Sequence, residues 1–457
     1  MRRVRPDLPF LLIVTWLVIL WVSGGASRAD VIGQVITRGA AWTILIVLVL
    51  WARPPQLRPV APVAFFVLAA VSLALVQLIP LPPQIWTAIP GREFLEQAAA
   101  VSGQKQPWRP LSFSPNATAN ALWSLVVPVT TLLLMAQLRR DDDWRIVTVL
   151  LILVVGSTFL GLLQFSGGHF DHPLVNDIAG SVSASFANRN HFALFAAIGC
   201  ILAPAWGFGE EDQKRWKGPV SIVLLLLFAL IILATGSRMG MLAGALGVAL
   251  GLLNVRRKVI SELRRLPRTY AIALVTIVVA LLVTTIILSI TLGRAASFDR
   301  IMTLDAGDDL RRKALPTVLT MTQYYFPFGS GLGAFDPVFR IHEPDDLLDV
   351  VYFNHAHNDW IEIVLDAGLA GVVLLGAAIV WWVWKSAGAW RSNSSKSQLP
   401  RLGSATLILV FVASITDYPA RTPMIMAIVV IAATWLNRYQ SQAAFSEAPS
   451  ASTKIRV

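Results

Sequence analysis

The sequence predicts an all-α polytopic membrane protein with about twelve membrane-spanning helices. The chain has 457 residues, of which 55% are hydrophobic and 14% are charged, and its mean hydropathy is +0.64. Soluble globular proteins carry roughly 25% charged residues. Apolar runs of about 17–25 residues, each long enough to cross the hydrocarbon core of a bilayer, recur along the chain.

Twelve apolar windows mark the predicted spans, and an even number places both chain ends on one side of the membrane. The windows cover 9–25, 35–51, 61–80, 119–138, 146–165, 192–208, 219–236, 239–255, 269–292, 363–385, 402–417 and 423–437. The segments that they define are a nine-span membrane domain (1–292), a large, partly helical outer loop (293–358), the last three spans (359–437), a tail predicted to be disordered (438–457) and two smaller outer loops (81–118 and 166–191).

The distribution of basic residues predicts the orientation of the chain. Most of the 38 Lys and Arg residues fall in the short loops on the side of the chain ends, so both termini are predicted to be cytoplasmic. The formal net charge of +11 would suggest a nucleic-acid partner in a soluble protein, but the positive-inside rule accounts for it here. We therefore expect membrane lipids and no nucleic acid as partners.

No sequence motif for a cofactor is visible. The chain lacks a phosphate-binding Gly-Lys-Ser/Thr loop and a dinucleotide fingerprint, so no cofactor and no use of ATP are predicted. The acidic run over 141–143 could hold a metal–nucleotide pair, but the arginines beside it indicate a solvated charge run.

The strongest chemical signal is the stretch over 353–360, which reads FNHAHNDW and precedes an apolar helix. All six histidines fall on the predicted outer side: His169, His172, His191, His342, His355 and His357. An unperturbed histidine pKa near 6.5 suits His357 as a general base at neutral pH. A metal bound by His355 and His357 with His342 or Asp359 is the alternative, but no third ligand has diagnostic spacing.

Helical periodicity extrapolated back from the apolar run predicts two faces. At 100° per residue, Gly368 and Gly371 return to the face of His357, where they would allow another helix to approach closely. Asp359, Glu362 and Asp366 would share the opposite face.

Three arginines at predicted outer positions suggest binding of an anionic head group, because guanidinium groups bind phosphate bidentately. Arg238 lies in a tight turn between two spans, where a structural contact with helix carbonyls is the alternative. Arg312 lies in a basic trio that could be a solvated face. Arg421 lies in a proline-flanked turn, where a local ion pair with Asp417 is the alternative. Asn190 and His191 open the sixth span and either cap that helix or line a polar site.

These residues together resemble the superfamily of O-antigen ligases and Wzy-type O-antigen and exopolysaccharide polymerases. The resemblance rests on His357-Asn358 followed by Gly368 and Gly371, and on four further pieces in order. These are Asn190-His191, Ser237-Arg238, Arg312 with Pro327 and the glycines at 329, 331 and 333, and Asp417-Tyr418-Pro419 with Arg421.

The resemblance implies a metal-independent, inverting glycosyltransferase of the GT-C type in the bacterial inner membrane. Its donor would be an undecaprenyl-diphosphate-linked glycan, and the acceptor hydroxyl would be reached at the periplasmic face. The residue roles that it implies are His357 as base, Asp417 as a holder of His357 or of the acceptor, Arg238, Arg312 and Arg421 as ligands of the pyrophosphate, and Asn190, His191, His355, Asn358 and Asp359 as lining residues. Pro316 is expected to interrupt the helix after Arg312, which makes Arg311 a substitute.

Two functions within the superfamily remain open from the sequence. A ligase passes the glycan to lipid A-core, whereas a polymerase passes it to a second lipid-linked glycan. A transporter or flippase of lipid-linked oligosaccharides is the alternative from another class. Its spans would be expected to carry buried charges and an inverted repeat, and the spans here are nearly free of charge.

Overall fold

A computed structural model describes residues 8–167, 172–175, 180–209, 216–265, 311–348, 353–392 and 394–446, with three single positions between 269 and 280. Within these residues the regular secondary structure is almost entirely helical. The only strands there are two residue pairs, β1 (Pro80–Leu81) and β2 (Arg109–Pro110), which pair antiparallel. The structure therefore confirms the all-α membrane fold class.

Eight apolar helical segments of the described chain are long enough to cross a membrane, and three shorter apolar helices accompany them. With the short helices between them included, the α-helices of the described residues are α1 (Leu8–Ser23), α2 (Ile32–Trp51), α3 (Ala61–Gln77), α4 (Pro83–Trp86), α5 (Glu93–Val101), α6 (Pro115–Ser124), α7 (Val126–Gln137), α8 (Asp142–Phe165), α9 (Arg189–Phe208), α10 (Lys217–Ala234), α11 (Arg238–Arg265), α12 (311–325), α13 (Phe335–His342), α14 (Asp359–Arg391), α15 (Gln398–Ala413) and α16 (Pro423–Ser446).

The predicted spans coincide with these helices, with one exception. The window over 269–292 lies almost wholly outside the described residues, so the total of twelve spans stays a prediction. At the other end, α16 continues to Ser446, into the tail that was predicted to be disordered. The Gln and Ala residues of that stretch are good helix formers, which explains the extension.

Helix α9 is the centre of the bundle. It is apolar on every side, as expected of a helix that other helices surround, and most of its residues are buried. Gly199 lets α8 and α10 approach closely, because a Cβ there would lie 2.6 Å from Val154 and 2.9 Å from Phe228. The middle of α9 is thereby packed closely against its neighbours.

A second layer lies outside the helix bundle and consists of α12, α13 and the segments beside them. Its core contains Tyr325 and Phe335, and the backbone N–H of Phe113 donates to the carbonyl of Ser330 at 2.7 Å. Pro316 was predicted to interrupt the helix after Arg312. That prediction is wrong, because residues 311–325 are helical on both sides of the proline.

Helix α14 breaks at Gly368, which has φ 56° and ψ −138°. A Cβ on Gly368 would lie 2.0 Å from the carbonyl oxygen of Pro327, so the glycine admits the segment that leaves α12. Gly371 accommodates the same break, because a Cβ there would lie 2.7 Å from the carbonyl oxygen of Ile363. The predicted helical phase through His357 is therefore wrong: the helix begins at Asp359 and changes direction at Gly368.

Candidate functional site

His357 lies in the turn immediately before α14, in a left-handed conformation with φ 50°. Such a conformation is unfavourable for a residue with a Cβ, and it is found mainly where the surroundings impose it. The next residue, Asn358, caps α14: its side chain accepts from the N–H of Ile361 at 3.1 Å and donates to the carbonyl of Ile415 at 2.8 Å. The cap therefore fixes His357 against the turn that follows α15.

Asp417 lies in that turn and is completely buried. Its Oδ2 accepts hydrogen bonds from the side-chain amides of Asn188 at 3.0 Å and Asn190 at 2.7 Å. Its Oδ1 accepts from the backbone N–H of Tyr418 at 3.0 Å, and Nε2 of His191 lies 3.8 Å from it. The carboxylate is thus surrounded by donors that stabilise its charged form.

His357 completes the surroundings of Asp417, because its Nδ1 lies 3.4 Å from Oδ1 of the carboxylate. Burial lowers the pKa of His357, and the positive charge of Arg311 adds to this effect, while Asp417 opposes it. Burial alone would raise the pKa of Asp417, but the contacts with His191 and His357 hold it well below its usual value. The pair is therefore a neutral imidazole beside an ionised carboxylate at neutral pH.

Tyr418 is a member of the site that the sequence did not indicate as one. Its ring lies 4.3 Å from the ring of His355, 4.9 Å from that of His357 and 5.3 Å from that of His191, measured between ring centroids. Burial and the charge of Asp417 raise the pKa of Tyr418, so its hydroxyl stays protonated. Its sequence signal was its place in the Asp417-Tyr418-Pro419 motif, which gave it no role of its own.

His355 has a carboxylate partner of its own. Its Nδ1 lies 2.8 Å from Oε1 of Glu362, and the other carboxylate oxygen accepts from the backbone N–H of Ala356 at 2.7 Å. Glu362 is fully buried in the first turn of α14. His355 and His357 therefore contact different carboxylates, and the ring of Tyr418 packs against both histidines.

Arg421 is enclosed by the acidic residues of α14. Its guanidinium lies 3.1 Å from Glu362, 3.3 Å from Asp359 and 3.6 Å from Asp366. Burial alone would lower the pKa of Arg421, but these carboxylates raise it. The predicted alternative, an ion pair with Asp417, is not the pairing that the structure shows. The positive charge of Arg421 is therefore compensated by carboxylates of the protein, whereas a pyrophosphate ligand would be expected to face the substrate.

Asp359 and Asp366 extend this charged cluster to neighbouring segments. The Oδ2 of Asp359 accepts from the hydroxyl of Ser414 at 2.9 Å and from the N–H of Ala420 at 3.2 Å. The Oδ2 of Asp366 accepts from the N–H of Gly333 at 3.0 Å. The first turns of α14, the turn after α15 and the glycine-rich segment after α12 are therefore tied to one centre.

Of the two adjacent arginines in α12, Arg311 is the one whose charge acts on the site. It lowers the pKa of both His357 and Tyr418, and it is half-buried. Arg312, the pyrophosphate ligand that the resemblance implies, is exposed. Successive residues of a helix point about 100° apart, so the two side chains leave α12 in different directions.

Arg238 begins α11, and its side chain is exposed. The starts of α11 and α9 are in close contact, because a Cβ on Gly240 would lie 2.3 Å from Cβ of Ala193. Arg238 therefore lies at the same end of the bundle as Asn190 and the histidines.

The remaining predicted residues divide between the site and the second layer. His191 is buried, and its Nδ1 lies 3.0 Å from the hydroxyl oxygen of Thr422. His342 belongs to the second layer, where its Nε2 lies 3.1 Å from the hydroxyl of Tyr325. His169 lies outside the described residues. Among those described, no three His, Cys, Asp or Glu side chains form a group with metal-binding geometry.

Comparison with protein families gives a match over part of the chain. Residues 223–376 match the family described as O-antigen ligase, which supports the resemblance found in the sequence. The match contains Arg238, Arg311, Arg312 and His357, while Asp417 and Asn190 lie outside it. No curated protein matches the chain.

Proposed function

We propose the following reaction, which is supported by the match of residues 223–376 to the O-antigen ligase family. The enzyme moves a glycan from undecaprenyl diphosphate to an acceptor hydroxyl at the periplasmic face of the bacterial inner membrane. The observation that carries this proposal is the separation of 3.4 Å between Nδ1 of His357 and Oδ1 of the buried carboxylate of Asp417.

His357 acts as the general base. Its Nδ1 faces Asp417, so its Nε2 faces away from the carboxylate and is available to the acceptor. The acceptor oxygen attacks C1 of the donor sugar on the face opposite the diphosphate and loses its proton to Nε2. The bond from C1 to the diphosphate oxygen breaks, and the configuration at C1 inverts. Asp417 stabilises the imidazolium that forms.

The diphosphate leaves with negative charge that a nearby cation can stabilise. Arg311 is the best placed of the predicted arginines, because its charge already acts on His357 and Tyr418. Arg238 lies at the same end of the bundle, and Arg312 is one residue farther along α12. We assign these three to the donor, with Arg311 as the principal ligand.

We assign Arg421 a positioning role instead. It joins the carboxylates of α14 to the turn that carries Asp417, and His357 stands two residues before Asp359. The ion cluster thus fixes the distance between the base and its carboxylate, although Arg421 itself faces other acids.

The test of the function is a strain that lacks the protein, examined for surface glycan and for lipid-linked glycan. Bare lipid A-core with accumulated lipid-linked polymer would identify a ligase. Single repeat units still attached, or loss of free exopolysaccharide, would identify a polymerase. Lipid-linked glycan held at the cytoplasmic face would instead indicate a flippase, and unchanged pools of both glycans would contradict all three functions.

The proposed chemistry requires no metal, because a positioned imidazole and fixed cations supply the base and the charge stabilisation. We expect purified enzyme to retain its transfer activity in EDTA. Loss of activity that zinc or magnesium restores would contradict this part of the proposal.

A further inference from the structure

A cavity of about 400 Å³ opens where the C-terminal half of α11, the end of α14 and the start of α15 meet. The path along α11 from Arg238 to Asn254, which lines the cavity, is about 24 Å at 1.5 Å per residue. The hydrocarbon core of a bilayer is about 30 Å thick. The cavity therefore lies near the membrane surface opposite the histidines, the side that the basic loops predict to be cytoplasmic.

The wall of the cavity is positively charged. Arg256, Arg257 and Lys258 of α11 and Arg401 of α15 line it, and none of the described lining residues is acidic. The only acidic residue of α11, Glu262, lies one turn beyond Lys258 and does not line the cavity.

Two of these basic side chains also contact backbone carbonyl groups of neighbouring segments. Lys258 donates to the carbonyl of Gly209 at 3.1 Å, and Arg401 donates to the carbonyl of Ala389 at 3.0 Å. Together with the two arginines of α11, they place four basic side chains on the lining of the cavity, and such a concentration of positive charge attracts anions.

On the buried side of the cavity, the side chain of Asn254 carries a hydrogen-bond acceptor for which the described residues supply no donor. Asn254 is 4% exposed, and its side-chain amide donates to the carbonyl of Gln398 at 3.2 Å. Its Oδ1 is buried and accepts no hydrogen bond from any residue that the structure describes. A buried acceptor without a donor is unfavourable, so a ligand that supplies a hydroxyl would be favoured there. Trp390 adds an aromatic wall, with the guanidinium of Arg401 5.8 Å from its ring.

We propose that this cavity binds a phosphate-bearing head group that also carries a hydroxyl donor, the chemistry of glycerol phosphate. The guanidinium groups of α11 hold the phosphate, and the hydroxyl donates to Oδ1 of Asn254. Phosphatidylglycerol in the surrounding leaflet and soluble glycerol phosphate both offer these two groups. Basic cavities between spanning helices are a recurrent form of anionic-lipid site.

The test uses the full-length protein in nanodiscs of phosphatidylcholine with added phosphatidylglycerol, and binding is measured by native mass spectrometry and by thermal unfolding. The variant Arg256→Gln/Arg257→Gln is compared with Arg139→Gln/Arg140→Gln, which removes two charges from another predicted cytoplasmic loop. We expect the first pair to weaken binding by roughly tenfold, since it removes charge-assisted hydrogen bonds, and the second pair to leave binding unchanged.

Two ligands complete the test. Phosphatidylmethanol has the same charge without the hydroxyl, and we expect it to bind several-fold more weakly than phosphatidylglycerol. Stabilisation by soluble glycerol 3-phosphate in place of the lipid would identify a free phosphate as the source. Equal losses in both double variants, no loss in either, or equal binding of the two lipids would overturn the proposal, because diffuse attraction to a basic surface gives those results.

Discussion

Nδ1 of His357 lies 3.4 Å from Oδ1 of Asp417, although His357 precedes α14 and Asp417 lies in the turn after α15. The distance is longer than a normal N–H···O hydrogen bond, so the pair can tighten when a positive charge forms on the imidazole. Under the proposed mechanism, Asp417 supplies the negative charge that stabilises His357 once it has accepted a proton.

Substitution of the base is the first prediction. We expect His357→Ala to reduce glycan transfer by roughly 10²–10⁴-fold, the range that a positioned general base contributes, while the protein still inserts in the membrane. Transfer is measured with purified protein and lipid-linked donor. The matched control is His342→Gln in the second layer, which should retain activity. Full activity in His357→Ala would rule out the proposed mechanism.

Asp417→Asn tests the counter-charge through its effect on the pH profile. The carboxylate raises the pKa of His357 against the effect of burial, so its neutralisation should lower that pKa further. In the pH profile of kcat/KM, the acid limb should therefore move to lower pH. The value of kcat should fall by roughly a hundredfold, because the imidazolium of His357 loses its carboxylate partner. Asp336→Asn, which changes an exposed acid paired with Arg340, serves as the control. A limb that moves to higher pH would refute the assignment.

The adjacent arginines of α12 should differ in their effect. Arg311 lowers the pKa of His357, so Arg311→Gln should move the acid limb to higher pH, and it should also raise KM for the donor. Arg312→Gln, one residue farther along the same helix, should have the smaller effect on both quantities. If Arg312→Gln shifts the limb and Arg311→Gln does not, Arg312 is the residue that faces the site.

Arg421 should behave as a positioning residue. Removing one partner of a buried ion cluster costs about 3–5 kcal/mol, so Arg421→Gln should lower the midpoint of thermal unfolding clearly. In protein that remains folded, kcat should fall while KM for the donor stays constant, and Arg421→Lys should recover part of kcat. Arg340→Gln, in an exposed pair worth less than about 1 kcal/mol, is the control. A rise in donor KM alone would favour a pyrophosphate ligand.

The break in α14 gives a prediction about stability alone. Gly368→Ala introduces a Cβ 2.0 Å from the carbonyl oxygen of Pro327 at a backbone conformation that favours glycine. We expect a loss of at least about 3 kcal/mol in the free energy of unfolding. Gly376→Ala, in the same helix with no described atom within 4 Å of the added Cβ, should stabilise by about 0.5 kcal/mol. Equal effects of the two changes would contradict the break.

The spans and the chemical stretch before α14 were visible in the sequence because both are local. Apolar runs define helices by themselves, and two histidines before a span stand out from any apolar surroundings. The neighbours of Asp417 were not visible in any local pattern, since Asn190 lies 227 residues earlier in the chain, and only the family resemblance placed them in one site. No local pattern encodes a contact over that separation.

The error about the helical phase of His357 relative to α14 has a definite origin. A single helical phase was extended from His357 to Gly371, and two features of the backbone break that phase. His357 has a positive φ and lies outside the helix, and Gly368 is not helical. The acidic stripe was read correctly as one face, but that face surrounds Arg421 in the interior.

The separation of Asn190 and Asp417 also governs when activity can arise during synthesis. The amide donors leave the ribosome early, whereas the carboxylate follows only with the hairpin of α15 and α16. A nascent chain that ends before this hairpin carries His357 without its counter-charge. Under the proposed mechanism, an unfinished or prematurely terminated polypeptide in the membrane is therefore inert towards its lipid-linked donor.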